Sequence, residues 1–446
     1  VPTSLFAERA LLPDGWAANV AIEIDATGTI ASVNPEAPAA VTGGHGERAG
    51  TIVPGMVNLH SHAFQRAIAG RGERRSAEHD DFWSWREAMY AAAATIDPEN
   101  LHRIATHVYR AMRAAGYTAV AEFHYLHRDP RGAWYAQKSR MAEALVRAAR
   151  DADIAICLLP ALYAHGGPRG APLGAAQARF ATAVDDVLEI AADIRTRYAG
   201  DPRVTVGVCA HSLRAVTPDE FAALLEGSPR DVPVHLHIAE QEREVDAIRH
   251  AYGARPIELL LARFDVTGRF CLVHATHATD VERDGMASSR AVVGLCPTTE
   301  ANLGDGLFSL APFLAAGGAF GIGSDSNVSL SPVEELRLLE YGQRLAHRRR
   351  IVAATAGRSC GATLYAEAAA HGARACGLRA GIIAEGMRAD LVELPPEDAS
   401  AWAATADDPG GAARADDPLD YYVFAALRQR PSRVMTAGRW GEELQS

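Results

Sequence analysis

The sequence predicts an α/β protein: a (β/α)8 TIM barrel with a small β-sandwich domain built from both chain ends. Eight short β-rich runs, at 52–60, 117–124, 153–161, 203–211, 233–239, 270–276, 291–297 and 319–326, alternate with helical patterns. Several of these runs are continuously apolar, as parallel strands buried on both faces are. The flanks differ. Residues 1–50 and 378–446 contain short or alternating apolar runs such as Val20-Ala21-Ile22-Glu23-Ile24-Asp25 and Ala389-Asp390-Leu391-Val392-Glu393-Leu394, which read as strands of a smaller unit. The expected division is 1–53 with 378–446 for the small domain, and 54–377 for the barrel.

Within the barrel region the helix starts are well marked. Asp97-Pro98-Glu99 opens one helix with a cap and an N1 proline, and Thr217-Pro218-Asp219-Glu220 and Ser331-Pro332-Val333-Glu334 read as capping boxes. The segment 61–116 is too long for a simple crossover, so part of it is expected to fold over the barrel mouth. The acidic, Ala/Gly-rich stretch 396–419 reads as an exposed loop.

Composition narrows the function classes. At 446 residues the chain has room for a barrel and a smaller domain, and 48% hydrophobic with 22% charged residues is ordinary for a soluble enzyme. A net charge of −11 argues against nucleic acid or an anionic membrane as partner. No run approaches ~18 consecutive apolar residues, so no membrane span is expected. The N-terminus lacks the pattern of a signal peptide. The six cysteines (157, 209, 271, 296, 360 and 376) are scattered without metal or disulfide spacing, which suits buried thiols in a cytoplasmic protein. A homodimer is the default expectation for such an enzyme.

The first run ends in His60-Ser61-His62. Residues i and i+2 of a strand share a face, so these imidazoles converge at the strand's end. Active sites of such barrels sit at the C-terminal ends of the strands. Polar groups recur there: His235-Leu236-His237-Ile238-Ala239-Glu240 on strand five, His274 on strand six, and Gly323-Ser324-Asp325-Ser326 on strand eight. His60, His62, His237 and Asp325 form a plausible mononuclear metal site with a position left for water. His235 shares a face with His237 but lies deeper, so His237 is preferred; neither His235 nor His277 is given a role. Zn2+ is the first choice of metal, though three His and one Asp also suit Fe2+ or Mn2+. A divalent ion yields hydroxide near neutral pH. Glu240 is placed to carry its proton to a leaving nitrogen, Asp325 to share it, and His274 to donate a hydrogen bond. Together these parts suit attack on an amidine-type carbon with loss of ammonia.

These motifs resemble the deaminase branch of the amidohydrolase superfamily, from Pro54-Gly55-Met56-Val57-Asn58-Leu59-His60-Ser61-His62 to Val434-Met435-Thr436-Ala437-Gly438-Arg439. Many members of that superfamily bridge two metals with a carboxylated lysine at the end of strand four. Here strand four ends Cys209-Ala210-His211, and Lys138 is the only lysine in the chain, so one ion is expected. The segments Ser61–Arg66, Ala121–His127, His211–Pro218 and Cys296–Gly304 resemble the formimidoylglutamate deiminases. That resemblance implies hydrolysis of N-formimino-L-glutamate, a small dicarboxylate, to N-formyl-L-glutamate and ammonia. It also implies Gln65, Arg86, Tyr125, His211 and Arg214 as substrate-binding residues. The two arginines suit the two carboxylates, and a guanidinium can grip a carboxylate bidentately. The alternatives are a deaminase of a purine, pyrimidine or related ring, whose pocket needs few paired arginines, and a barrel serving only as a binding module, which needs no complete ligand set.

Overall fold

The computed structural model describes residues 3–37, 46–71, 73, 81–355, 357–396, 417–427 and 430–441. Eight parallel strands make the barrel: Met56–Ser61, Tyr117–His124, Ala155–Leu162, Val208–Ser212, Val234–Ile238, Phe270–His274, Val292–Leu295 and Ala319–Ile322. A three-residue strand, Val204–Val206, lies beside the third. Strands two, three, five and six are buried at every position, because helices cover the outside and side chains fill the inside.

The run 52–60, expected as one strand, is two. Glu47–Pro54 belongs to the small sheet and Met56–Ser61 to the barrel. The break is at Gly55. Its amide donates to the carbonyl of Asp390 at 2.8 Å, whereas the amide of Met56 turns to Gly116 at 3.2 Å. A side chain at Gly55 would lie 2.3 Å from the Thr118 hydroxyl, so glycine is required where the chain crosses between sheets. Both sides of the break are buried and apolar, which is why periodicity does not reveal it.

The last four expected strands, 233–239, 270–276, 291–297 and 319–326, overrun their observed ends on the site side. His274, Ala275 and Asp325 adopt left-handed backbone (φ 69°, 51° and 45°), which ends the ladder and turns their side chains out of strand register.

Helix starts follow the sequence signals with one exception. Asp97 accepts from the Asn100 amide at 2.7 Å, and Thr217 and Glu220 cap each other reciprocally. Ser331 makes only half of its expected box. It accepts from the Glu334 amide, but its own amide is taken by the Ser329 hydroxyl, which also donates to the Glu334 carboxylate.

The small sheet has seven strands, in the order Arg439–Trp440, Arg433–Thr436, Leu391–Glu393, Glu47–Pro54, Thr3–Leu12, Gly15–Ile24 and Ile30–Asn34. Both chain ends therefore share one sheet, with a core of its own that includes Leu5, Ile22, Ile52, Leu391 and Met435. Most of the stretch 396–419 lies outside the described residues. Its last three residues are not the exposed loop expected: Asp417 caps the helix Pro418–Phe424, and Leu419 is fully buried against the barrel.

Two parts of segment 61–116 shape the barrel mouth: the 3-10 turn Ala63–Ile68 and the helix Phe82–Ala93, opened by Asp81. At the seam where the last barrel strand meets the first, Gly323 packs on strand one. A methyl group there would stand 2.7 Å from His60 Cβ and 2.8 Å from its carbonyl oxygen. Gly323→Ala should therefore cost about 1–3 kcal/mol, the usual result of overpacking a tight core. A lower urea midpoint at unchanged slope checks this; an unchanged midpoint would mean that the seam can widen freely.

Candidate active site

Four ligand atoms converge at the barrel's C-terminal mouth. His237 Nε2 lies 3.0 Å from His60 Nε2 and 3.3 Å from His62 Nε2. Asp325 Oδ1 lies 3.5 Å from His60 Nε2 and 3.4 Å from His62 Nε2, and the four potential ligand atoms are all within 4.8 Å of one another. Two tautomers are set by the far side of the rings: His62 Nδ1 donates to the Phe123 carbonyl and His237 Nδ1 to the His211 carbonyl, each at 2.8 Å. Their Nε2 atoms are then bare lone pairs aimed at one point. Burial keeps these imidazoles neutral, pushing the pKa of His62 down to about 3 and those of His60 and His237 below the ordinary value. Burial would raise the Asp325 carboxyl, but hydrogen bonding and charge from His60, with further charge from His62, hold it below the usual carboxylate range. Converging lone pairs and a carboxylate in a dry site repel one another unless a cation sits among them, so this donor set fits a divalent ion. His235 is not part of the cluster; its Nε2 meets the Ala375 carbonyl at 2.8 Å. His277 is not part of it either: its amide donates to the Ala239 carbonyl and its carbonyl accepts from Arg255.

Beside the ligands stands a proton-handling group. His274 Nδ1 is 3.2 Å from Glu300 Oε1, and its Nε2 is 3.8 Å from Glu240 Oε1 and 3.9 Å from Asp325 Oδ2. Burial alone would lower the His274 pKa, but Glu240, Glu300 and Asp325 together raise it to about 10. Burial raises Glu240 to about 7, against the opposing pull of His274. Cys296 also lies near His274 and Asp325. Burial raises the pKa of its thiol.

A cavity opens over these groups. Its lining includes His62, His237, Glu240, His274 and Asp325 together with Gln65, Arg86, Tyr125, His211 and Arg214. His60 lies beneath, in contact with His237. Gln65 Nε2 donates to the Tyr125 hydroxyl at 2.7 Å, which orients both. The geometry thus brings every candidate site residue to one place. It adds residues that sequence reasoning missed: Tyr90, Tyr163 and Phe180 in the wall, and Glu300 behind His274. Glu300 had a signal, since Cys296–Gly304 stands out as a motif, but nothing in its spacing points at His274. Lys138 pairs with Asp186 at 2.8 Å and Glu189 at 2.7 Å on the helix Val184–Arg197, so no lysine stands at the end of strand four.

Comparison with known proteins shows the family and the fold. The model of the amidohydrolase family matches residues 51–440, and that of the N-terminal domain of formimidoylglutamate deiminase HutF matches residues 3–47. Formimidoylglutamate deiminase of Pseudomonas aeruginosa is 47% identical over 98% of this chain and 94% of its own length. A 5-methylthioadenosine/S-adenosylhomocysteine deaminase of Natronomonas pharaonis is 28% identical over 76% of this chain and 72% of its own. Among solved structures, an amidohydrolase from Brucella melitensis superposes with a TM-score of 0.91 at 44% identity, covering 98% of this chain and 94% of that one. An adenosine deaminase from Xanthomonas campestris with bound zinc has the same fold, with a TM-score of 0.77 at 22% identity over 98% of this chain and 92% of that one.

Purified protein should contain about one divalent ion per chain, and chelation should abolish turnover until metal is restored. Metal analysis checks both, with His237→Ala expected to fall well below one equivalent. Two tightly held ions per chain would contradict the absence of a bridging lysine.

Proposed function

The chain belongs to the amidohydrolase family, and from that premise we propose a division of labour within its site for the hydrolysis of N-formimino-L-glutamate. The protein is a metal-dependent hydrolase of carbon–nitrogen bonds. It converts N-formimino-L-glutamate and water to N-formyl-L-glutamate and ammonia, a step of histidine degradation. The observation that carries the reading is one cavity with a complete ligand set and two arginines.

His60, His62, His237 and Asp325 hold the metal, with zinc the first choice for this donor set. The ion supplies Lewis acidity and a hydroxide nucleophile at neutral pH. Glu240 accepts a proton from the attacking water and delivers it to the departing nitrogen. A carboxyl group that titrates near neutrality can do both, which an ordinary exposed glutamate does poorly. His274, held charged by the carboxylates around it, donates toward the reacting centre, and Glu300 fixes its ring. Gln65, Tyr125 and His211 offer neutral contacts to the chain of the substrate. Arg86 and Arg214 receive its two carboxylates, several bonds from the reacting carbon. A purine or pyrimidine would leave both guanidiniums uncompensated in the same cavity, which argues against a ring substrate.

Two variants test these roles. Glu240→Gln should keep its metal and fold but lose roughly two to four orders of magnitude in kcat, the usual worth of general acid–base catalysis. Near-native kcat would leave Asp325 as the only carboxylate shuttle. Arg214→Met should keep its metal and lose about 2–4 kcal/mol in kcat/KM, as when one partner of a buried charged pair is truncated. Formiminoglycine, which lacks the side-chain carboxylate, is the companion probe. Preference of the wild type for formiminoglycine, or intact formiminoglutamate turnover by Arg214→Met, would remove the dicarboxylate assignment.

A further inference from the structure

Helix Phe82–Ala93 contributes five side chains to the cavity, but Trp83 is not among them. Its half-buried indole instead gathers three guanidinium groups. Arg86 Cζ lies 4.4 Å from the ring centroid, Arg243 Cζ 4.5 Å and Arg214 Cζ 5.2 Å. The three come from different elements: the helix over the mouth, the turn after strand four, and the first turn of helix Glu242–Tyr252, which follows Glu240. Among the described residues, neither Arg214 nor Arg243 has a side-chain hydrogen bond or ion pair, and Arg86 Nε is buried without a partner.

Three cations around one ring lie within about 10 Å of each other, one Debye length at 0.1 M salt, so their fields add. The indole face offsets part of their mutual repulsion, and the buried Glu240 and Glu244 lie within electrostatic reach of Arg214. Arg86 and Arg214 line the cavity, whereas Arg243 does not and is exposed. The positive charge of the cluster therefore spans the cavity wall, at Arg86 and Arg214, and the exposed surface beside it, at Arg243.

We propose that Arg243 is a third recognition residue for the dicarboxylate substrate, drawing its outer carboxylate toward Arg86 and Arg214, and that Trp83 is the positioning residue that keeps the three guanidiniums together. This rests on the dicarboxylate reading of the site. Arg243 acts before and during seating of the substrate, so its contribution falls on capture rather than on the chemical step.

The test uses the full-length metal-loaded enzyme, with glutarate and butyrate as competitive inhibitors carrying two carboxylates and one. In Arg243→Gln, the inhibition constant for glutarate should rise threefold to tenfold at low salt and converge on the wild-type value at high salt. That for butyrate should change less than twofold, and the loss with formiminoglutamate should appear in KM rather than kcat. Trp83→Leu should reproduce the selective loss, and Trp83→Phe, which keeps a ring face, should restore most of it. Equal effects on glutarate and butyrate, a loss independent of salt, or a Phe variant as impaired as Leu would overturn the proposal. A wild-type enzyme that binds glutarate no better than butyrate would remove the dicarboxylate reading itself, and the proposal with it.

Discussion

The amide of Asp325 donates to the carbonyl of His60, and the amide of His62 donates back to the carbonyl of Asp325, both at 2.9 Å. Through this exchange the end of the last barrel strand is joined to the end of the first. The side chains of the same three residues converge at the mouth. Closing the barrel and assembling its donor set are therefore one structural event, and the ligands cannot drift apart without opening the seam. A buried polar network locks the join from behind. Asn58 donates to the Ser324 hydroxyl at 2.6 Å and accepts from the Ser324 amide at 3.0 Å; that hydroxyl donates to Asn327 at 2.7 Å, and Asn327 reaches the His62 carbonyl at 3.0 Å. Such a network rigidifies a core when every member is paired, and these pairings are mutual. Gly323 gives the two strands room to approach, and the left-handed turn at Asp325 re-aims its carboxylate. Backbone in that region costs energy that only an over-determined surrounding can hold.

From this rigid seam the electrostatic division follows. Asp325 and Glu240 are both buried, and burial raises a carboxyl pKa in either case. Asp325 faces His60 and His62 at hydrogen-bonding or near-contact distance, and the pull toward the charged form wins. Glu240 has His274 3.8 Å away but Asp325 and Glu244 nearby as well, so burial wins and its proton becomes mobile near neutrality. Two carboxylates in one cavity are thus driven apart in behaviour by their neighbours, the condition that acid–base chemistry at neutral pH requires. Glu300 sits on the far nitrogen of His274, so the imidazolium is oriented as well as charged.

Most of this site is legible in the sequence because strand periodicity is simple. In a strand, His60 and His62 must share a face, and polar residues that recur at the ends of apolar runs must gather at the same end of a parallel barrel. The break at Gly55 is not legible, since buried residues on both sides leave no alternation to lose. Glu300 is not legible either. It reaches His274 from a short helix after strand seven, Pro297–Leu303, and only the tertiary fold brings a helix residue back to the end of the neighbouring strand six. The open capping box at Ser331 fails for a local reason, competition from the Ser329 hydroxyl, which a four-residue pattern does not contain. Trp83 lies in a segment whose length predicted a cover for the mouth, but length says nothing of which side chains meet which arginines.

The cavity carries both guanidinium and carboxylate groups, and their placement joins the fold to the choice of substrate. The metal ligands, Glu240, His274 and Glu300 occupy the ends of strands one, five, six and eight and the helix after seven. The arginines reach in from the turn after strand four and from the helix over the mouth. Unit charges ~4 Å apart interact by about 4 kcal/mol at an effective dielectric near 20, so a substrate carboxylate placed against Glu240 or Asp325 would be expelled. The same carboxylate beside a guanidinium is held. A molecule with a polar, uncharged reacting group at one end and carboxylates at the other can satisfy both regions in only one orientation. In the proposed reading, that orientation puts the formimino carbon over the donor set. Selection for charge and presentation of the reacting bond are then consequences of one arrangement, and the barrel's contribution is to hold its two regions at a fixed separation.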